Sequence, residues 1–235
     1  TTSYPTVARM NLSSDGNTTH TNSKWFMVFG SGSHGYDGRA AATAKIFAVE
    51  LGAPLGTAPI VTKMPVGSWN SFVADPITLD RDLDFRSDAV YVGRTIDPAS
   101  SGIGYWTGKM YRLTMGTCSA APCSTSTWGI ASGANRVPTE MLDTFNIGAG
   151  GAYLGPMTSS PTVTLDDTGE VWVFFGTGRF LSVADKSNTS TQYLLGLKDS
   201  VLRVGGCAQT STTSCWDNNL LDVSNVQICV TCAAG

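Results

Sequence analysis

The stretch Lys24-Trp-Phe-Met-Val-Phe-Gly-Ser-Gly32 returns 146 residues later as Glu170-Val-Trp-Val-Phe-Phe-Gly-Thr-Gly178. Each copy is a short run of aromatic and aliphatic strand formers that ends in glycine, the residue suited to sharp turns and close backbone approach. The flanks recur in the same order. Ser3-Tyr-Pro-Thr-Val7 returns as Ser159-Ser-Pro-Thr-Val163, and Ala89-Val-Tyr-Val-Gly93 is a weaker middle copy. A second apolar run follows each: Lys45-Ile-Phe-Ala-Val-Glu-Leu51, Lys109-Met-Tyr-Arg-Leu-Thr114 and Gln192-Tyr-Leu-Leu-Gly-Leu197. The glycines are 63 and 83 residues apart, so loops of varied length sit on a common core. A repeated unit of three or four short strands is the pattern of β-propeller blades.

This predicts an all-β, antiparallel fold with blades at about Thr6–Val66, Phe72–Ala134 and from Thr162 onward. Residues 1–199 form the blade region, and residues 200–235 read as a Cys-containing C-terminal extension or a final partial blade. Propellers close with about four to eight blades. The chain therefore reads as an arc of a larger propeller, or as a smaller β assembly.

Composition agrees. Of 235 residues 42% are apolar and only 14% charged, against about 25% charged in ordinary domains. Surface polarity comes from 29 Thr and 24 Ser. Asp outnumbers Glu by 15 to 3, favouring turns over helices. No apolar run approaches the roughly 18 residues of a membrane-spanning helix. A net charge of −3 without Lys/Arg clusters excludes the electrostatic footprint of a nucleic-acid binder.

Six cysteines fall into three close pairs: Cys118/Cys123, Cys207/Cys215 and Cys229/Cys232. An even count in local pairs points to disulfides and an oxidising compartment, with zinc as the rival. Cys229-Val-Thr-Cys232 has zinc-like spacing, but no second such pair or nearby His completes the set. Bonds Cys118–Cys123 and Cys207–Cys215 are expected, and Cys229–Cys232 closes the tightest ring. Without a signal peptide or initiating Met, the sequence reads as a mature or excised piece of an exported protein.

The run Val171-Trp-Val-Phe-Phe-Gly-Thr-Gly-Arg-Phe180, then Asp185 and Tyr193-Leu-Leu-Gly-Leu-Lys-Asp199, resembles the propeller of type IV pilus tip-associated proteins, the PilC/PilY family of biogenesis factors and adhesins. Trp25–Gly32 resembles a preceding blade of that family. Asp80 to Gly93, with Trp106 and Tyr111-Arg112-Leu113, resembles its Asp-rich blade. The resemblance spans roughly residues 3 to 199 in matching order. It implies a C-terminal propeller, pilus components such as minor pilins as partners, an external surface or receptor as a possible target, and a place at the cell surface or pilus tip, outer membrane-associated or periplasmic. The family's N-terminal adhesive region has no counterpart here.

Asp80-Arg-Asp82-Leu-Asp84-Phe-Arg-Ser-Asp88 is the strongest chemical motif. Oxygens at alternating positions of a tight loop can converge on one hard cation. Asp80, Asp82, Asp84 and Asp88 would supply carboxylates and Arg86 its backbone carbonyl. The resemblance implies Ca2+, because the family places a calcium loop of this spacing between two propeller strands, here Phe72–Leu79 and Ala89–Val92. Phe85 stands where calcium loops carry Gly, at about 1 kcal/mol or more if the backbone is left-handed. Arg81 and Arg86 reduce the loop charge from −4 to −2. The alternative is an Asp-rich turn capped by its own backbone.

Two further motifs count for less. Gly30-Ser-Gly32-Ser-His-Gly35 has a dinucleotide-binding spacing only if Arg39–Leu51 is a helix, and the matching Gly176-Thr-Gly178 lacks the third glycine. His20 and His34 sit in polar, Gly/Thr-rich stretches, and no catalytic constellation stands out. The expected function is a non-enzymatic, calcium-binding propeller module. The alternative is a propeller enzyme of the quinoprotein dehydrogenase type, which needs a buried central cofactor pocket and colours the purified protein.

Overall fold

A computed structural model describes residues 2–10, 23–35, 37–67, 69–116, 123–147 and 150–199. Four strands, β1 (Thr6–Met10), β2 (Lys24–Gly30), β3 (Lys45–Leu51) and β4 (Val61–Pro65), form an antiparallel sheet in sequence order. The second sheet takes β5 (Ser71–Val73), β6 (Ile77–Leu79), β7 (Ala89–Ile96) and β8 (Thr107–Thr114), with the one-turn helix α1 (Pro98–Ser101) between the last two. Both β5 and β6 pair with β7; Pro76, which has no N–H to donate, lies in the break between them. A hairpin of β9 (Ile130–Ser132) and β10 (Asn135–Val137) precedes β11 (Thr139–Leu142), which completes the second sheet against β8. A further hairpin, β12 (Thr144–Ile147) with β13 (Gly150–Tyr153), leads to the third sheet of β14 (Thr162–Leu165), β15 (Val171–Gly176) and β16 (Leu194–Asp199).

The sheets lie face to face, and side-chain alternation explains why. Phe26 and Val28 of β2 point inward, while Trp25 on the other face is half exposed. All of β7 is buried because it is covered on both sides. Val90 and Val92 join the core shared with the first sheet, through Met10, Phe26 and Ile46. Ala89 and Tyr91 join the core shared with the third sheet, through Val171, Val173 and Leu197. Strand β8 divides likewise, with Leu113 facing one core and Met110 the other. The outer faces of the first and third sheets carry Val7, Trp25, Phe174 and Leu194 in exposed positions.

The fold is therefore all-β and antiparallel, as the sequence implies, with three corrections. The middle glycine, Gly93, does not end its strand but lies inside β7, where an added Cβ would come 2.7 Å from the Met157 Cβ. The second sheet does not finish by Ala134 but takes its last strand from Thr139–Leu142, past the intervening hairpin. The first strand of that sheet is broken into β5 and β6. Residues 200–235 lie outside the described residues. Among the described residues, no helix is long and apolar enough to cross a membrane.

Gly30 shows why a blade edge needs glycine. A Cβ there would lie 2.4 Å from the carbonyl oxygens of Val73 and Ala74, and the Gly32 N–H donates to Val73 O at 3.0 Å. Backbone meets backbone, so no flexible side chain can yield. Gly30→Ala is expected to destabilise by about 1–3 kcal/mol. The equivalent Gly176 has nothing within 4 Å of such a Cβ, so Gly176→Ala should stay within about 0.5 kcal/mol. Urea midpoints of the two variants check the difference, and equal shifts would refute this account.

Candidate metal centre

The Asp80–Asp88 loop closes a hairpin between β6 and β7, whose last pair is Leu79 opposite Ala89. The Asp88 N–H donates to Leu79 O at 2.7 Å and shuts the loop's base. Two non-glycine residues turn the chain through left-handed backbone: Leu83 at φ 58° and Phe85 at φ 65°. Both side chains are exposed, so no apolar burial offsets the roughly 1–2 kcal/mol cost of each conformation. The left-handed turn at the sixth position of the loop is therefore made by a residue poorly suited to it.

Within this turn Asp80, Asp82 and Asp88 each present a carboxylate oxygen, all within 4.8 Å of one another. Their remaining hydrogen bonds are local. The Asp84 N–H reaches Asp80 Oδ1 at 3.2 Å and Asp82 Oδ1 at 3.3 Å. Phe85 N–H donates to Asp80 Oδ2 at 2.9 Å, and Arg81 N–H to Asp88 Oδ2 at 2.7 Å. Those bonds are what an Asp-rich turn capped by its own backbone requires. Three converging carboxylates could supply part of the oxygen shell of a hard cation.

Asp84 stands apart. Its carboxylate pairs with the Arg86 guanidinium and also accepts the Arg86 N–H at 2.9 Å. Arg86 thus enters the loop as a counter-ion to Asp84. Burial alone pushes the Asp84 carboxyl up, but the hydrogen bonds and charge of Arg86 outweigh it, and the net shift is downward. Burial raises the pKa values of Asp80 and Asp88, assisted in both cases by neighbouring acids and opposed by the backbone N–H donors. Negative charge is thus concentrated in the three-acid cluster.

Sequence spacing gave no sign of the loop's attachments. Ser87 N–H donates to Arg9 O at 3.0 Å, and the Arg9 N–H donates to the Ser87 hydroxyl at 3.1 Å, tying the loop to β1. Arg81 Nη2 donates to Gly169 O at 3.0 Å, in the turn between β14 and β15. The loop therefore touches all three sheets.

The other sequence candidates lie elsewhere. Gly30–Gly35 leads into a tight turn, where the His34 and Gly35 N–H groups donate to Arg39 O, and then into strand β3. Among the described residues, no helix follows to hold a pyrophosphate. His34 is exposed, and His20 lies outside the described residues. Cys123 is buried in the first core and disulfide-bonded. Cys118, Cys207, Cys215, Cys229 and Cys232 lie outside the described residues.

No protein-family model matches the sequence, and no curated protein matches it. Among solved structures, the chain is similar to the C-terminal domain of PilY1 from Pseudomonas aeruginosa, with TM-score 0.52 and 19% identity over 84% of this chain. That overlap is 36% of the PilY1 domain, so this chain spans about a third of it. At this identity the likeness bears on fold, and the fold shared is a β-propeller.

Proposed function

We propose that the chain is a non-enzymatic, calcium-binding β-propeller module of an exported type IV pilus biogenesis or tip-associated adhesin protein. It would work at the cell surface or pilus tip, outer membrane-associated or periplasmic, with minor pilins or other pilus components as partners. The propeller fold shared with the PilY1 domain supports the pilus assignment. The observation that carries the calcium assignment is the convergence of Asp80, Asp82 and Asp88 in a loop turned through left-handed Phe85.

Calcium takes six to eight oxygen ligands; the three carboxylates would hold it, and water or loop carbonyls would complete the shell. The ion's chemistry here is structural. It would neutralise acids that repel one another and stiffen the turn. Because the loop reaches β1 through Ser87 and the β14–β15 turn through Arg81, ordering it would link all three sheets. Calcium supply would then set the rigidity of the face presented to a pilus partner.

Calorimetry and thermal melts of the full chain, with calcium against chelator, test this. At a calcium concentration about 100 times Kd, the gain should be about 2.7 kcal/mol, or roughly 5–10 °C in Tm for a chain of this size. Asp80→Ala and Asp88→Ala should abolish the gain, while exposed Asp167→Ala should keep it. Absence of calcium heat in the folded, unmutated chain would leave the self-capped Asp turn as the correct reading.

A further inference from the structure

At the opposite end of the sheets from the acidic loop lies a cleft of about 750 Å³. The topology places it there. In each sheet the connection between its second and third strands emerges on this side: β2 to β3, β7 to β8, and β15 to β16. These three connections supply Asp37 and Arg39, Tyr105 and Trp106, and Arg179 through Tyr193, with Tyr153 at the end of β13 completing the wall. The volume falls in the range of small-molecule sites, about 300–1,000 Å³.

The lining is aromatic and polar, and its cations are paired. Tyr105 and Tyr153 are 53% and 50% exposed, presenting large rings to solvent. Trp106 is held in place by the Arg179 guanidinium, 3.8 Å from the ring centroid. Arg179 is itself fixed by Asp185 at 2.8 Å, with both side chains under a tenth exposed, and by the Asp37 carbonyl at 2.7 Å. Arg39 stands between two acids, Asp37 at 3.5 Å and the buried Asp97 at 3.3 Å. Both cations of the lining are thus already paired with acids, so the cleft offers no free cation to an anionic ligand.

On the remaining side, Asn188, Ser190, Thr191 and Gln192 bring amides and hydroxyls that can both donate and accept. Gln192 is preset: its Oε1 accepts from the Thr177 hydroxyl at 3.0 Å, and its Nε2 donates to Ser190 O at 3.1 Å. A ligand for this surface needs apolar faces for the rings, rim hydroxyls for the amides, and no charge. A pyranose has all three, since its axial C–H bonds make an apolar face edged by hydroxyls.

We propose that this cleft binds a short uncharged saccharide. The inference stands apart from the calcium reading, because cleft and loop lie at opposite ends of the sheets. The test uses the full chain in chelator, so that calcium has no part in it. Methyl β-galactoside, methyl α-mannoside, fucose, N-acetylglucosamine, lactose and chitobiose are the neutral probes, and N-acetylneuraminic acid is the anionic one. Binding is read by saturation-transfer NMR and by tryptophan fluorescence titration.

At least one neutral probe should bind saturably. Tyr105→Ala and Tyr153→Ala, which remove half-exposed rings and leave the core intact, should each weaken it about fivefold to tenfold. Trp69→Ala, exposed and outside the cleft, should leave it unchanged. Failure of every neutral probe to saturate, saturation by N-acetylneuraminic acid alone, or binding that survives both tyrosine variants would each overturn the proposal.

Discussion

Asp199→Asn is expected to cost the fold about 3–5 kcal/mol, because it strands a charge inside the protein. Arg112 on β8 and Asp199 on β16 form an ion pair with both side chains fully buried. Arg112 Nη1 donates to both Asp199 oxygens, at 2.6 and 2.8 Å. The Tyr91 hydroxyl on β7 adds a third bond to Asp199 at 2.8 Å. Burial first, and then the Asp199 charge, push the Tyr91 phenol far above its ordinary range, so it remains a neutral donor. Asn keeps the shape and removes the charge, leaving the guanidinium without its counter-ion in the core between the second and third sheets.

The comparison that separates charge from packing is a double replacement. Arg112→Met with Asp199→Leu removes both charges at similar volume, and should recover most of the stability lost by Asp199→Asn. Urea unfolding gives the three midpoints. A loss below about 1 kcal/mol for Asp199→Asn would mean that water or other groups already satisfy Arg112, and the ion pair would not hold the core as argued.

Sequence periodicity revealed most strands that alternate simply. Lys45–Leu51 is β3, Lys24–Gly30 opens the first repeat as β2, and Lys109–Thr114 lies within β8. It could not place β11, because Thr139–Leu142 is four residues long and separated from its sheet by a hairpin. The role of Arg112 was also hidden. A charged residue in Met-Tyr-Arg-Leu reads as the polar face of a strand, and here that face packs against another sheet. Gly93 misled by similarity, since its lack of a Cβ serves contact with Met157 and not a turn.

The acidic loop was legible as a cluster because four acids fall within nine residues of a tight turn. Arg86 was legible as a reduction of charge. That it engages Asp84 and leaves Asp80, Asp82 and Asp88 grouped depended on loop conformation. The cleft left no local signal, since its walls come from segments up to about 150 residues apart that only the stacking of sheets brings together.

Trp128→Ala should likewise cost about 3–5 kcal/mol, the usual range for deleting a buried large aromatic. Trp128 follows a single 3₁₀ turn, Thr125–Thr127, in a Ser/Thr-rich segment. It is nevertheless fully buried, and its ring meets Phe26 edge-on at 5.1 Å between centroids. Its indole N–H points at the Met10 sulfur, 2.8 Å away. A residue from beyond the second sheet's central strands thus plugs the core it shares with the first. Deleting it leaves a cavity that β1 and β2 border and β15 and β16 do not. Hydrogen exchange should therefore show β1 and β2 amides losing protection first, through local opening below the global barrier. Trp128→Phe, which refills part of the space, should recover part of the loss. Uniform loss of protection across all three sheets would show that the two cores unfold as one unit and that Trp128 does not act locally.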